Sequence, residues 1–526
     1  MTRFDAYLRQ ALRAALLLLL AAGLGPVRAQ LPQTGSADAD FAAVDTLALG
    51  YLERYGQPGV SVVIAHADRI IYAKGYGWAD REAQLPSSPW LEYRLASVSK
   101  TFTATAVMRL VEQGRVQLDA PAWGYVSAFM AAEPADARLK QVTVRQLLTH
   151  AWGLDRAVST DPMGSWYNDG GRILSSCKDV LRYRLLRMTL DFTPGARYAY
   201  NNTGYCWLGL IAETVDGRPL DTQITALIGP EALSTGRVRI GSVVPQQATP
   251  AEVHHYDRIG APLGTPVPGV LPAPAPTQVP RPYGVYTLDG YGGSGGLVAS
   301  PLTVTRFVQR LVGARQPALL QDATWQAMRA PQVLGDGYPN VGLGIQTIKA
   351  WPDADDRWYN FAGHILGTRT GWVATPRFRG GPMLTIVATV NGNRVWPNDG
   401  QAEDNLHAEL IYPILSAVDA VGRDRYSAKP EITGERLIAW GGAAEAWLAD
   451  QVFEWGQRSY PTLLSGAPQA GVFDGYRFRH YPSTGVYVGV KEGRLYFYQP
   501  TASPDVQPLG ALADFLPAAM RDLPLR

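Results

Sequence analysis

From Pro58 onward, hydrophobic positions recur with two different periods. Val60, Val62 and Ile64 fall on one face of an extended segment, a second apolar run follows at Ile70, Ile71 and Tyr72, and Ala67, Asp68 and Arg69 supply turn residues between them. That pattern predicts a β-hairpin. After Ser97 the period becomes helical: Phe102, Ala106, Val107, Leu110 and Val111 form one stripe, and Gly114 marks its stop. Further helical pieces are predicted over 143–149, 181–188 and 304–311, and strand-like runs over 372–374 and 384–390. Eight prolines between 262 and 282 exclude both helix and sheet interior there and predict an extended surface excursion. Beyond about residue 425 the pattern changes character. A helix is predicted over 437–455, and then Val486, Val488 and Val490, a Lys491-Glu492-Gly493 turn and the run 494–498 predict a second hairpin. The expected organisation is a segment 1–29, a polar lead-in 30–44, a large domain 45–424 and a small module 425–526.

Composition narrows the function classes. A hydrophobic fraction of 46% over 526 residues describes a packed globular protein and excludes disorder over most of the chain. The 48 Lys+Arg nearly cancel 46 Asp+Glu, and no basic run exists, so a nucleic-acid partner has no support. Two cysteines exclude a disulfide framework and a Cys-rich metal fold. The N-terminus reads as a secretory signal peptide: Arg3, Arg9 and Arg13, then an apolar run of twelve residues over 14–25, then Val27-Arg28-Ala29 as a cleavage site. Twelve residues reach about 18 Å as a helix, short of the roughly 30 Å of a bilayer core. A mature protein with no transmembrane anchor, periplasmic or extracellular, is therefore expected. Cys177 and Cys206 are free to pair in such a compartment, which would add about 3 kcal/mol by loop closure. Removing the leader takes away Arg3, Arg9, Arg13 and Arg28 against Asp5, and with them the small basic excess.

Candidate chemistry begins at Ser97-Val98-Ser99-Lys100. Residues i and i+3 on the first turn of a helix share a face, so the Lys100 amine can reach the Ser97 hydroxyl. A desolvated lysine can take the proton that a serine must lose to become a nucleophile, and the helix N-terminus favours developing negative charge. The spacing alone is not distinctive. Ser175 and Lys178 repeat it, and an N-capping serine with a solvated lysine satisfies it equally.

Its surroundings are distinctive. The stretch from Pro58-Gly59-Val60 through Gly75-Tyr76-Gly77-Trp78-Ala79-Asp80 to Arg94-Leu95-Ala96-Ser97-Val98-Ser99-Lys100 resembles the serine β-lactamase-like hydrolases. That family includes class C β-lactamases, penicillin-binding carboxypeptidases, and related esterases and D-aminopeptidases. The resemblance continues through 114–121 and 144–154, where Trp152 replaces a usual serine and His150 is a structural loop residue. It recurs at Tyr200-Asn201-Asn202, matching the family's Tyr-x-Asn motif, and covers roughly 45–420. Tyr338-Pro339-Asn340 has the bare spacing without its surroundings.

The third family motif, Lys or His, any residue, then Gly, is altered. One register puts Phe361 at the cationic position and Gly363 at the glycine. The other takes His364 as the motif histidine, with one extra residue before Gly367. The resemblance implies an α+β fold of the α/β-sandwich type: an antiparallel sheet flanked by helices, with an all-helical subdomain, to which the small β-rich C-terminal module is added. It also implies acyl transfer through a Ser97 acyl-enzyme without metal or organic cofactor. In that scheme Lys100 and Tyr200 share proton traffic, the Lys100 charge lowers the Tyr200 pKa, and Asn202 orients substrate and Lys100. An oxyanion hole comes from the Ser97 N–H and the Gly363–His364 strand. The substrate is a small molecule or short peptide, with peptides first, esters second and β-lactams third. Trp123, Tyr125, Trp152, Trp166 and Tyr167 suggest an apolar cleft. Two other readings stand beside this one. Gly292-Gly293-Ser294-Gly295-Gly296 fits a nucleophile elbow with Ser294 as nucleophile and His364 or His407 as base. The alternative is a non-catalytic, receptor-like protein on a penicillin-binding scaffold. Adjacent His254 and His255 lack the placed partners of a zinc site.

Overall fold

The central sheet of the computed structural model joins the two ends of the large domain. Its strands run in the spatial order Gln33–Thr34, Arg69–Asp80, Gly59–His66, Met383–Val390, Thr368–Pro376, Arg357–Ile365 and Gln346–Lys349, each antiparallel to its neighbour. The hairpin expected near Pro58 is therefore present, turning at Ala67 and Asp68, with Ala67 at a left-handed φ of 54°. Met383–Val390 pairs with the first strand of that hairpin, as in Val62 opposite Ala388 and Ile64 opposite Ile386. The structure describes residues 31–432, except 36, 160, 162–167, 170–171, 230–237, 245–251, 258–260, 267, 269, 272, 338–339, 350–355, 377–380 and 394–404. Farther on it describes 453, 457, 460, 462–473, 476–491, 494–500 and 506–511. The leader and most of the helix expected over 437–455 lie outside the described residues.

Every residue of Gly59–His66 is buried, so both faces of the sheet are covered. Ala42–Tyr55 and Tyr412–Val421 pack near one another beside the hairpin, and Pro301–Leu311 packs on Gly59–His66 and Met383–Val390. Ser300 caps Pro301–Leu311 by accepting from the Thr303 N–H at 3.1 Å, and Pro301 fits a helix's first turn because its missing N–H is not needed there.

In the chain, the segment between the two halves of the sheet carries a group of helices: Ser99–Glu112, Val144–Leu148, Cys177–Leu185, Thr203–Asp216 and Leu220–Ile228. Thr143 and Gln146 form a capping box on the second, which accounts for a helix of five residues. The helix expected over 181–188 begins earlier, at Cys177, because Ser176 caps it there. Their apolar stripes meet in one buried cluster that includes Phe102, Leu147 and Trp207, and Phe307 of Pro301–Leu311 joins it, stacking on Phe102 at 3.8 Å.

The C-terminal module is a five-stranded antiparallel meander: Gln469–Phe473, Tyr476–Tyr481, Val486–Lys491, Arg494–Tyr498 and Gln507–Ala511. The expected second hairpin is its third and fourth strands. Val486, Val488 and Val490 alternate inward and share a buried cluster with Val63, Ala65, Trp90, Tyr93 and Leu302. The proline-rich stretch 262–282 carries no strand or helix among its described residues and is tied back by the Gly264 and Val279 main chains. No helix among the described residues is long and apolar enough to cross a membrane.

Candidate active site

Ser97 lies in a single 3-10 turn, Ala96–Val98, that leads into Ser99–Glu112. Ala96, immediately before it, holds a left-handed φ of 47°, a strained conformation for a residue with a Cβ. Packing enforces it. Arg94 is fully buried and donates to the carbonyls of Pro282 at 2.9 Å and Ser242 at 3.0 Å and to Tyr286 Oη at 2.9 Å. The Arg94 carbonyl in turn accepts from Thr368 Oγ1 at 3.1 Å and Thr370 Oγ1 at 3.2 Å. The end of the proline-rich excursion and the sheet thereby clamp the segment that presents Ser97.

Three side chains from separate elements meet there. Tyr200 Oη donates to Ser97 Oγ at 2.6 Å, and Lys100 Nζ lies 3.1 Å from the same oxygen. Lys100 Nζ donates also to Asn202 Oδ1 at 2.7 Å and to the Ser294 carbonyl at 2.6 Å. Lys100 is fully buried whereas Ser97 is partly exposed, so the nucleophile is reachable and its neighbour is dry. Burial pushes the Lys100 amine well below the ordinary lysine range; nearby Asp161 opposes this and Arg156 adds to it. A neutral amine has two N–H bonds and one lone pair. Nζ has three oxygens within hydrogen-bond reach, those of Asn202, Ser294 and Ser97, and in the neutral form favoured by burial its lone pair is available to the Ser97 hydroxyl.

Tyr200 departs from expectation. Burial raises its phenol above the usual range, and the Ser97 hydrogen bond and Arg156 offset this only in part. The expected lowering by Lys100 required a charged lysine, and burial disfavours that charge. Burial thus favours the protonated phenol at Tyr200 and the neutral amine at Lys100.

Asp161 is a residue that motif reading missed. Its carboxylate accepts from the Asn202 N–H at 2.8 Å, Asn202 Nδ2 at 2.9 Å, the Thr203 N–H at 3.2 Å and Thr203 Oγ1 at 2.9 Å. It closes the N-terminus of Thr203–Asp216 and fixes the Asn202 amide with its oxygen toward Lys100. His150 stands behind Tyr200, ring centres 4.5 Å apart, and its Nδ1 accepts from the Asn201 N–H at 3.2 Å, a loop-holding contact.

On the opposite wall runs Arg357–Ile365. Gly363 pairs with Thr370 and presses on the Ser97 turn: a Cβ added to it would lie 2.8 Å from the Ser97 nitrogen and 2.9 Å from that of Val98. Glycine is required by that approach. Phe361, two residues earlier on the same face, is buried in the core cluster. His364 is exposed on the other face and contacts Asn393 Oδ1 through Nε2 at 3.1 Å, so it is not brought to Ser97. The register with Phe361 and Gly363 is the one that the strand presents to the nucleophile.

A family model described as Beta-lactamase matches residues 44–410. The chain belongs to the Beta-lactamase family. Esterase EstB of Burkholderia gladioli is 34% identical over 175 residues, 32% of this chain and 44% of that protein. Protein flp of Staphylococcus aureus is 28% identical over 182 residues, 35% of each chain. The match thus spans less than half the length of either relative. Among solved structures, D-amino acid amidase from Ochrobactrum anthropi SV3 superposes with a TM-score of 0.54 at 19% identity, covering 73% of this chain and 99% of that one. EstCE1, a hydrolase with promiscuous acyltransferase activity, gives 0.52 at 22%, covering 72% and 98%. The octameric penicillin-binding protein homologue from Pyrococcus abyssi gives 0.52 at 18% and covers 89% of each. These likenesses bear on the fold. The α+β architecture with an added β-rich C-terminal module is that of this family.

The structure overturns some of the remaining expectations and places the residues of others. Ser294 does not follow a buried strand, as a nucleophile elbow requires. It lies in the helical segment Leu288–Gly295, fully buried, with Oγ donating to the Tyr291 carbonyl at 2.6 Å while its own carbonyl holds Lys100. His407 is buried against the Trp372 carbonyl, 3.1 Å from Nε2, and supplies no base to it. The second Ser-x-x-Lys is ordinary: Ser176 caps Cys177–Leu185, and Lys178 stands over the Phe129 ring. Trp152 lines no cleft. It is fully buried against Gly204 and Trp207, and Trp166 and Tyr167 lie outside the described residues. His255 is buried between Glu252 and the Gly367 carbonyl, whereas His254 lies 3.9 Å from Asp80. Cys177 and Cys206 form the disulfide, across 29 positions.

Proposed function

We propose that this protein is an exported serine hydrolase that cleaves a small ester or amide, short peptides included, through a Ser97 acyl-enzyme. The observation that carries the reading is the Ser97 hydroxyl held at once by Tyr200 at 2.6 Å and by a buried Lys100 at 3.1 Å whose other neighbours are acceptors. Lys100 takes the hydroxyl proton as Ser97 Oγ adds to the substrate carbonyl. The oxyanion develops beside the Ser97 N–H and the main chain at Gly363 and His364. As the tetrahedral intermediate collapses, Tyr200 gives its proton to the leaving oxygen or nitrogen and recovers one from Lys100. Water, deprotonated by the same pair, then releases the acid. Asn202 and Asp161 hold Lys100 in place. Phe361, where a cation is usual, ranks β-lactams last among the substrates. The esterase and the amidase among the proteins compared support ester and amide substrates, and the apolar leader and the disulfide support export.

A fluorophosphonate probe with peptide mass mapping tests the assignment. Label is expected on Ser97, and Ser97→Ala is expected to abolish turnover of p-nitrophenyl butyrate while melting like the parent. Label on Ser294, or turnover surviving in Ser97→Ala, rejects the mechanism. Absence of label together with absence of turnover across an ester, D-amino acid amide and β-lactam panel favours the receptor-like reading instead.

A further inference from the structure

Arg156 stands over the ring of Tyr200, its guanidinium carbon 4.9 Å from the ring centre. It therefore lies on the very residue whose hydroxyl touches Ser97. Arg156 is exposed, and among the described residues it forms no ion pair. The acids nearest in sequence are already engaged: Asp155 by Arg197 at 2.7 Å, and Asp161 by Asn202 and Thr203. A guanidinium laid on an aromatic face keeps its orientation while its forked N–H groups stay open, the geometry that matches a carboxylate.

The rest of the site offers no competing cation among the described residues. Lys100 is buried and committed to Asn202 and Ser294. On the face of Arg357–Ile365 turned to Ser97, the positions nearest the Ser97 turn are Phe361, Gly363 and Ile365, all without charge, and Arg357 stands at the far end of that face, opposite Lys349. An anionic group on a substrate bound at Ser97 thus meets one positive charge, from the Tyr200 side.

We propose that Arg156 is a specificity-determining anchor and that the preferred substrate is a small ester or amide carrying a free carboxylate near the scissile carbonyl. This rests on the hydrolase reading above. The carboxylate belongs to the acyl half or to the leaving group, and two pairs of esters distinguish these sources. Mono-p-nitrophenyl glutarate against p-nitrophenyl butyrate places the charge in the acyl half. Meta-acetoxybenzoate against phenyl acetate places it in the leaving group.

The readout is the ratio of kcat/KM, charged ester over neutral ester, within each pair. In one of the two pairs the parent protein is expected to favour the charged ester by about tenfold, the usual share of a charge-assisted hydrogen bond. Arg156→Ala is expected to bring that ratio near unity through KM. Arg156→Lys should keep part of the preference, and Arg156→Glu should invert it. A parent ratio near unity in both pairs, or a preference that survives Arg156→Ala, overturns the anchor while leaving the hydrolase reading intact. Failure to turn over any of the four esters overturns the anchor, and it rejects the hydrolase reading as well when the D-amino acid amides and β-lactams of the panel are also left intact. The residue is exposed, so the variants are expected to fold, and matching thermal melts check this.

Discussion

A lysine amine buried among an amide oxygen, a main-chain carbonyl and a serine hydroxyl is pushed toward its neutral form, and that has a stability consequence. Burial lowers the Lys100 pKa in the folded state, whereas the unfolded chain has the ordinary value of about 10.4. Between the two values the unfolded state binds the extra proton, so Lys100 makes stability rise with pH across that window. Its contribution is lost as pH falls toward the folded pKa. Lys100→Met removes the slope. The difference in stability, variant minus parent, is expected to grow as pH is lowered from about 10 toward neutrality. The two hydrogen bonds lost at Asn202 and Ser294 shift the offset and not the slope. Chemical denaturation at several pH values measures it, and a difference that does not vary with pH would mean that Lys100 is charged when folded. None of this was visible in the Ser-x-x-Lys spacing, because Ser175 and Lys178 have the same spacing and lie in a different environment. Asp161 likewise carried no signal beyond being a polar residue in a loop, 41 positions from Asn202.

At the scale of elements, the helical segment Leu288–Gly295 links two features that look unrelated in the chain. Its kink at Gly292, at φ 40° and ψ −126°, leaves room for the disulfide: a Cβ there would meet Cys177 Sγ at 2.6 Å. Two residues on, the Ser294 carbonyl accepts from Lys100. The disulfide thus packs against the turn that sets one of the two carbonyl acceptors on Lys100. Reduction, or the double substitution of both cysteines by alanine, is expected to lower kcat about fivefold, the share of one hydrogen bond. Unchanged kcat in a reduced protein that still melts cooperatively would show that the turn holds its shape alone. The hairpin after Pro58, the helix after Ser97 and the terminal hairpin were all legible, because each is specified by a local period and its turn residues. Cys177–Leu185 was displaced in the reading because its start is set by the Ser176 cap rather than by the apolar stripe.

On the scale of the whole molecule, the terminal meander completes a core begun by the first hairpin. Val486, Val488, Val490 and Leu495 cover Val63, Ala65 and Trp90. A chain ending after Pro430 would expose that apolar patch. It is expected to melt at lower temperature and to associate, as read by calorimetry and size-exclusion chromatography. A truncated chain as stable and monodisperse as the parent would show that the patch tolerates water.

Local patterning was enough for the hairpin after Pro58, the helix after Ser97, the terminal hairpin and the family resemblance, and it singled out Ser97, Lys100 and Tyr200 as candidates. Those properties depend on periods and short spacings that a chain carries locally. The burial of Lys100, the raised phenol of Tyr200, the approach of Gly363 rather than His364 to the Ser97 turn, and the seat of Arg156 over the Tyr200 ring all came from the tertiary structure. Each of these depends on desolvation and on charges brought together across long separations, such as the 194 positions between Lys100 and Ser294.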